Sequence, residues 1–424
     1  MKFSELGLLE PILKAIEEKK FEEPSDIQEQ TIPIILQGKD VIAGSATGSG
    51  KTLAFASGII QKLQKGRGIQ ALILTPTREL AQQVAKDIMA FSRYKPLSVS
   101  AIYGGVSISP QMHELRNADV VVGTPGRILD HLERNSINLT RVNILVLDEA
   151  DRMLDMGFID DVKQIIGECP KERQTLLFSA TMSQDINELA YRYMKAPVKI
   201  STESYVDKSL LTQVYYDVPD NMKFSLLVHL LKSEISGSAM VFCNTQRNTD
   251  AVAKNLTKNG INALAIHGGF SQAKRTHTMM QFHRKSFDVL VCTDVASRGL
   301  DIKGVTHIYN YDIPKDSKDY IHRIGRTARA GAEGKAINLL SSRDHDNFSA
   351  VLRGNDSHIQ REEVPEIERV QVSWQSNDRD SRGGNSRGGR FGRGGRGGRG
   401  QGGSGNRSER DDRQGRSRRP SFRR

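Results

Sequence analysis

Tryptophan occurs once in 424 residues, cysteine three times, and aromatics make up only 6% of the chain. Cys169, Cys243 and Cys292 are odd in number, far apart and set in apolar surroundings. That pattern excludes a disulfide framework or a zinc site and predicts reduced core thiols. No apolar run approaches the roughly 20 residues that a membrane-spanning helix needs. Glu5 and Glu10 interrupt the N-terminus where a secretory signal requires an apolar stretch. A soluble, unexported, cytoplasmic protein is expected. Lysine is absent from residues 375–424, which hold 15 arginines against 5 acids, a balance of +10 out of the chain's +11. A near-neutral body thus carries a cationic tail, whose natural partners are polyanions, nucleic acid above all.

The tail has few large apolar residues, Phe391 and Phe422 among them, so it cannot bury enough surface to offset the entropy of ordering. Arginine recurs at every third position from Arg387 to Arg399, with glycine on the same period. A collagen register fails because it is short and lacks proline. The body alternates between short apolar runs and longer segments of helical spacing. The runs are ALILT (71–75), DVVVG (119–123), NILVL (143–147), QTLLF (174–178), AMVFC (239–243), NALAI (262–266), DVLVC (288–292) and THIYN (306–310). Near-continuous apolar strands between helices predict parallel sheets covered on both faces, and the length suits two sheets of four or more strands. A polar stretch at 201–210, followed by a new strand signal in QVYYDV (213–218), marks an interdomain linker. In such sheets ligands bind beyond the carboxyl ends of the strands, so chemistry is to be sought there.

After the strand signal DVIAG (40–44) come SATGSGKT (45–52) and a helical segment. Thr47, Gly48, Ser49 and Gly50 would let backbone N–H groups wrap a phosphate at a helix N-terminus. Lys51 would reach the outer phosphates and Thr52 would ligate Mg²⁺. A strict phosphate loop has glycine where Ser45 stands, so an ordinary glycine–serine turn remains the plain alternative. The strand NILVL ends in Asp148 and Glu149, one suited to the metal and the other to activating a water. Gln28 offers a donor and an acceptor matching the adenine edge, but Ser25 and Gln28 also have capping-box spacing, and local physics favours the cap. Threonine and proline in PTREL (76–80) and TPGR (124–127) commonly start helices, and Gly104–Gly105 reads as a turn.

Taken together and in order, Phe21 and Gln28, ATGSGKT, PTREL, Gly104–Gly105, TPGR, DEAD (148–151), SAT (179–181), VFCNT (241–245), TDVASRGLD (293–301) and HRIGRTARAG (322–331) resemble the DEAD-box RNA helicases over about residues 1–345. The resemblance implies an α/β fold with two RecA-like parallel-sheet domains in tandem, at 1–204 and 213–368, joined by a linker at 205–212 and followed by a disordered basic tail at 369–424. It implies ATP and Mg²⁺ in the cleft and single-stranded or structured RNA across both domains. On that basis Phe21 would stack on adenine and Gln28 would read its edge. Asp148 would hold the metal through water, with Glu149 as general base. Arg326 and Arg329 would be arginine fingers, Asp301 would lie near the ribose and His322 beside the γ-phosphate. Ser179 and Thr181 would couple hydrolysis to strand separation. RNA contacts would come from Arg78, Gly105, Thr124, Arg127, Thr245, Gly268 and Thr293.

The sequence departs from the family's usual letters at Ser25, Ser45, Ser297 and Ala328, all small-for-small changes. The implied activity is ATP-dependent unwinding of short or structured RNA by a prokaryotic-type, monomeric core. An RNA chaperone or ATP-regulated clamp that anneals through its tail is the alternative. The process is left open, with proteins of ribosome assembly or RNA decay as the partners to look for.

Overall fold

A computed structural model describes residues 1–44, 49–201, 210–234, 237–284, 286–297, 304–328, 333–354 and 359–373. Nearly all of the expected tail, from residue 374 on, most of the expected linker and half of the phosphate-loop signature therefore lie outside the described residues. Among the described residues, no helix is long and apolar enough to cross a membrane.

Seven strands build the first sheet: β1 (Val41–Gly44), β2 (Ala71–Leu74), β3 (Val99–Ile102), β4 (Val120–Gly123), β5 (Ile144–Leu147), β6 (Gln174–Ser179) and β7 (Val198–Ser201). Seven more build the second: β8 (Leu211–Asp217), β9 (Ser238–Phe242), β10 (Ala263–Ile266), β11 (Val289–Cys292), β12 (Val305–Asn310), β13 (Gly334–Leu340) and β14 (Gln360–Glu362). All twelve pairings are parallel. The spatial orders are β3-β4-β2-β5-β6-β1-β7 and β10-β11-β9-β12-β13-β8-β14. Counted from its own first strand, each sheet has the same order, so one lobe repeats the topology of the other.

Alternate strand residues enter opposite cores. In the first lobe Val41 and Ala43 join one apolar cluster, whereas Ile42 joins another on the far face. In the second, Ala239 and Val241 face one cluster and Met240 and Phe242 the other. This two-sided burial accounts for the near-continuous apolar runs. Burial also pushes the Cys169 thiol up to about 11 and holds Cys243 well above the ordinary thiol range, so both are held protonated.

Past β14 the chain runs on without regular structure, but it is packed: Ile367, Val370 and Val372 lie against the apolar face of the second lobe. Val370 N–H donates to Ser225 Oγ at 3.2 Å, and Ser373 N–H to Asn255 Oδ1 at 2.9 Å. The expected tail boundary at residue 369 falls inside this strap, which is described as far as Ser373. Alternating apolar residues supply the signal, dispersed among exposed glutamates.

Candidate active site and polymer face

In the first sheet β5, β6 and β1 are neighbours, so the residues following them meet at one end. Lys51 opens the helix Lys51–Lys62 after β1, and Asp148 directly follows β5. Only β6 separates the two strands, a span of about 10 Å that the lysine stem bridges. Lys51 Nζ sits 3.1 Å from Asp148 Oδ1, with both side chains buried. Burial works against the Lys51 charge, but Asp148 and then Glu149 outweigh it and hold the ammonium above the usual lysine range. Burial likewise pushes the Asp148 carboxyl up, against the pull of Lys51.

Asp148 Oδ2 is buried without a hydrogen-bond partner. A buried carboxylate oxygen without a partner, on a side chain that pairs with the lysine preceding Thr52, fits a hard cation shared with phosphate oxygens. Among the described residues, no cluster of three or more His, Cys, Asp or Glu side chains could hold a metal unaided.

Gln28 serves two partners. Its Oε1 accepts from Ser25 N–H at 3.0 Å, the cap that local spacing favours, while Nε2 donates to Gly50 O at 2.9 Å. Ser25 Oγ donates to Ser49 O at 2.7 Å, so the helix Asp26–Leu36 and the phosphate loop are stitched together. Gly50 has φ +87°, and a Cβ there would lie 2.4 Å from Gln28 Nε2. Phe21 is 44% exposed, and its ring is backed by Phe91 at 6.3 Å, which in turn carries Lys19 Nζ 4.6 Å from its centroid. An aromatic face is thus available to a base.

Glu149 caps the helix Ala150–Asp155 in the left-handed region (φ 52°, ψ 51°), and its Oε2 lies 3.0 Å from Arg152 Nη1. Ser179 and Thr181, after β6, engage the same turn. Thr181 N–H and Oγ1 donate to Asp151 Oδ2 at 3.0 and 3.1 Å, and Ser179 Oγ donates to Thr181 O at 2.7 Å. Asp151 is therefore the residue through which the expected coupling element touches the DEAD turn.

The other half of each sheet collects the expected RNA residues. The segments after β2, β3 and β4 carry Arg78, Gly105, and Thr124 with Arg127, and those after β9, β10 and β11 carry Thr245, Gly268 and Thr293; Arg78 opens the helix Arg78–Phe91 and Arg127 lies in the helix Pro125–Glu133. These are equivalent strands of the duplicated topology. Thr77 and Thr245 each cap the helix after the equivalent strand, accepting from Leu80 N–H and Asn248 N–H. The Arg78 guanidinium lies across Gly105, where a Cβ would fall 1.9 Å from Nη1. Arg127 is turned inward. It donates to Gln111 Oε1 and Val106 O, both at 3.1 Å, and so shapes the Gly104–Val106 turn. Gln111, which the sequence left unmarked, also donates to Tyr103 O at 3.0 Å and completes this buttress.

In the second lobe Arg323 is almost fully buried. It donates to Asp294 at 2.6 and 2.7 Å, Asn244 at 2.8 Å, Asn310 at 3.1 Å and Asp312 O at 2.6 Å. It thereby ties together the ends of β9, β11 and β12, beside the buried Arg326. Its neighbours in sequence attract the eye as fingers; Arg323 itself is the internal clamp. Arg329, Asp301, Thr47 and Gly48 lie outside the described residues.

The lobes touch at both halves. Glu79 Oε1 is 3.0 Å from Arg275 Nε and 3.2 Å from Gln272 Nε2 on the polymer half. On the nucleotide half Arg152 reaches His322 Nδ1, and Asp155 pairs with Lys318 at 2.8 Å.

Residues 25–189 match the DEAD/DEAH box helicase family and residues 222–331 the helicase conserved C-terminal domain. A protein of Listeria monocytogenes, ATP-dependent RNA helicase CshA, is 47% identical over 367 residues, covering 86% of this chain and 71% of the relative. Saccharomyces cerevisiae Dbp5 bound to RNA and ADP BeF3 superposes with a TM-score of 0.78 at 32% identity, over 86% of this chain and 96% of that one. A DEAD box protein from Methanococcus jannaschii gives 0.54 at 43% identity, over 85% and 99%. Shared sequence, shared two-lobed fold and the DEAD turn facing the phosphate-loop lysine leave one assignment: the chain belongs to the DEAD-box ATP-dependent RNA helicases.

Proposed function

We propose that ATP is held by the first lobe and hydrolysed when the second lobe closes on it, with single-stranded RNA gripped by the other half of both lobes. The observation that carries this is the buried Lys51–Asp148 pair, whose second carboxylate oxygen has no hydrogen-bond partner. Phe21 and Gln28 hold the base, while Lys51, Thr52 and the loop 47–50 hold the phosphates. Mg²⁺, when bound to Thr52 and Asp148, supplies charge neutralisation on the phosphates. As the triphosphate enters, Lys51 exchanges its carboxylate partner for phosphate oxygens, and Glu149 takes the proton of the attacking water. Arg326 and Arg329 bring guanidinium charge to the leaving phosphoryl group.

RNA favours the same closed state as ATP, because Arg78, Gly105 and Thr124 on one lobe and Thr245, Gly268 and Thr293 on the other form one track only when the lobes meet. A groove fitting only a bent single strand opens a duplex locally. The lobe arrangement supports this reading: overlap is higher with the RNA- and nucleotide-bound relative than with a relative of greater sequence identity. The arginine tail is proposed as a sequence-tolerant tether to RNA phosphates, in a cytoplasmic protein.

The test is ATP turnover on the full chain with RNA or DNA of identical sequence. RNA should stimulate it, DNA should not, and Lys51→Ala should abolish it. Hydrolysis indifferent to RNA contradicts the proposal.

A further inference from the structure

We propose that Arg152 is a positioning residue that makes the placement of Glu149 depend on contact between the lobes, an inference that rests on the function proposed above. Arg152 stands on the helix Ala150–Asp155 of the first lobe and is 2% exposed. One arm of its fork, Nη1, meets Glu149 Oε2 at 3.0 Å. The other edge, Nε and Nη2, meets His322 Nδ1 at 3.2 and 3.1 Å, on the helix Ser317–Ile324 of the second lobe. All three guanidinium nitrogens are therefore committed, one to the candidate base and two across the seam. His322 Nδ1 can serve both only as an acceptor, which places the ring proton on Nε2.

Three features make this more than a lobe-to-lobe strut. Glu149 occupies left-handed backbone, a conformation that its neighbours must enforce, so its side chain depends on what holds it. The guanidinium is buried, so withdrawing the second lobe would strip two donors of their acceptor and loosen the arm that holds Glu149. The seam is also registered: Asp155, three residues on, pairs with Lys318, four residues before His322, so the two helices run antiparallel and meet at both points. Arg152 thus has a fixed partner on its own lobe and a conditional one on the other. RNA-driven closure would complete the second contact and thereby fix the first. A lysine could supply the charge but not both edges at once.

The test is single-turnover ATP hydrolysis by the full chain saturated with RNA, alongside RNA affinity measured with a non-hydrolysable ATP analogue. Arg152→Gln and His322→Ala are compared singly and together. Arg152→Gln should slow hydrolysis by about 30-fold or more while changing RNA affinity by less than about 3-fold, and the double variant should be no slower than the worse single one. Arg152→Lys, which keeps the charge and the helix, should recover hydrolysis only in part. Losses that multiply in the double variant overturn the proposal. So does an Arg152→Gln that weakens RNA binding as much as hydrolysis, or an Arg152→Lys at full rate. If the unmodified chain shows no RNA-stimulated hydrolysis, the functional reading itself fails; stimulated hydrolysis with independent Arg152 and His322 removes only the coupling.

Discussion

Replacing Gly50 by alanine should damage nucleotide binding through Gln28, a side chain that lies on a different helix. Two costs combine. Gly50 sits at φ +87°, where an L side chain costs roughly 1–2 kcal/mol. The new Cβ would also stand 2.4 Å from Gln28 Nε2 and 3.3 Å from Ser25 Oγ, so the glutamine must withdraw. With it go the bonds Gln28 Nε2 to Gly50 O and Ser25 N–H to Gln28 Oε1, each worth about 1 kcal/mol net. A penalty of about 3 kcal/mol on the loop shape that receives phosphate corresponds to roughly 100-fold weaker ATP binding. The assay is equilibrium titration with a fluorescent, non-hydrolysable ATP analogue on Gly50→Ala, Gln28→Ala and the double variant. Gln28→Ala removes the obstacle as well as the bonds, so the double variant should lose much less than the product of the two single losses. Independent losses, or an affinity for Gly50→Ala within about 3-fold of the parent, would refute the proposed contact between loop and helix.

Ala328→Gly should leave stability within about 1 kcal/mol of the parent, because relief of strain at φ 52° (roughly 1–2 kcal/mol) offsets a lost buried methyl and the added freedom of glycine, together of similar size. Thermal unfolding checks this, and a loss of several degrees contradicts it. The Lys223–Asp344 pair, at 2.5 Å and largely buried, should give the second lobe an acid-sensitive stability. Burial opposes the Asp344 charge, but Lys223 and Ser341 overcome it and hold the carboxyl below its ordinary value. Its contribution is therefore present above about pH 4 and lost as pH falls through the depressed folded value. Urea unfolding at pH 7 and pH 3.5 should show Asp344→Asn roughly 3 kcal/mol less stable at the higher pH, with the gap narrowing at the lower. Deleting residues 375–424, with 15 arginines, should weaken RNA binding and flatten its dependence on salt while sparing ATP hydrolysis. An unchanged salt slope removes the tether.

Much of this architecture could be read from the chain alone where a strand is an uninterrupted apolar run. Ala71–Leu74, Ile144–Leu147 and Val289–Cys292 are buried on both faces and carry no polar residue to mask them. The strand Gly334–Leu340 escaped because Asn338 interrupts it, although that amide is buried and bonded to Asn310 and Tyr320. Val99–Ile102 escaped as a half-exposed edge strand. The helix start in PTREL was legible because Thr77 caps it; the equivalent cap at Thr245 went unread. The glycine-bearing loop and the two acids ending Ile144–Leu147 marked the nucleotide site from letters alone. What spacing cannot convey is pairing across strand order or across lobes. Arg152 and His322 are 170 positions apart, and Arg323 gathers partners from three strand ends that only the fold brings together. Arg127 is a further case, because the letters TPGR do not show that its fork meets Gln111 and Val106.

The most direct measurement is RNA affinity of the full chain with and without a non-hydrolysable ATP analogue, paired with analogue affinity with and without RNA. Closure of one cleft by both ligands requires each to tighten the other by the same factor, about 5- to 150-fold for a coupling of 1–3 kcal/mol. Identical RNA affinity in the two conditions contradicts the account.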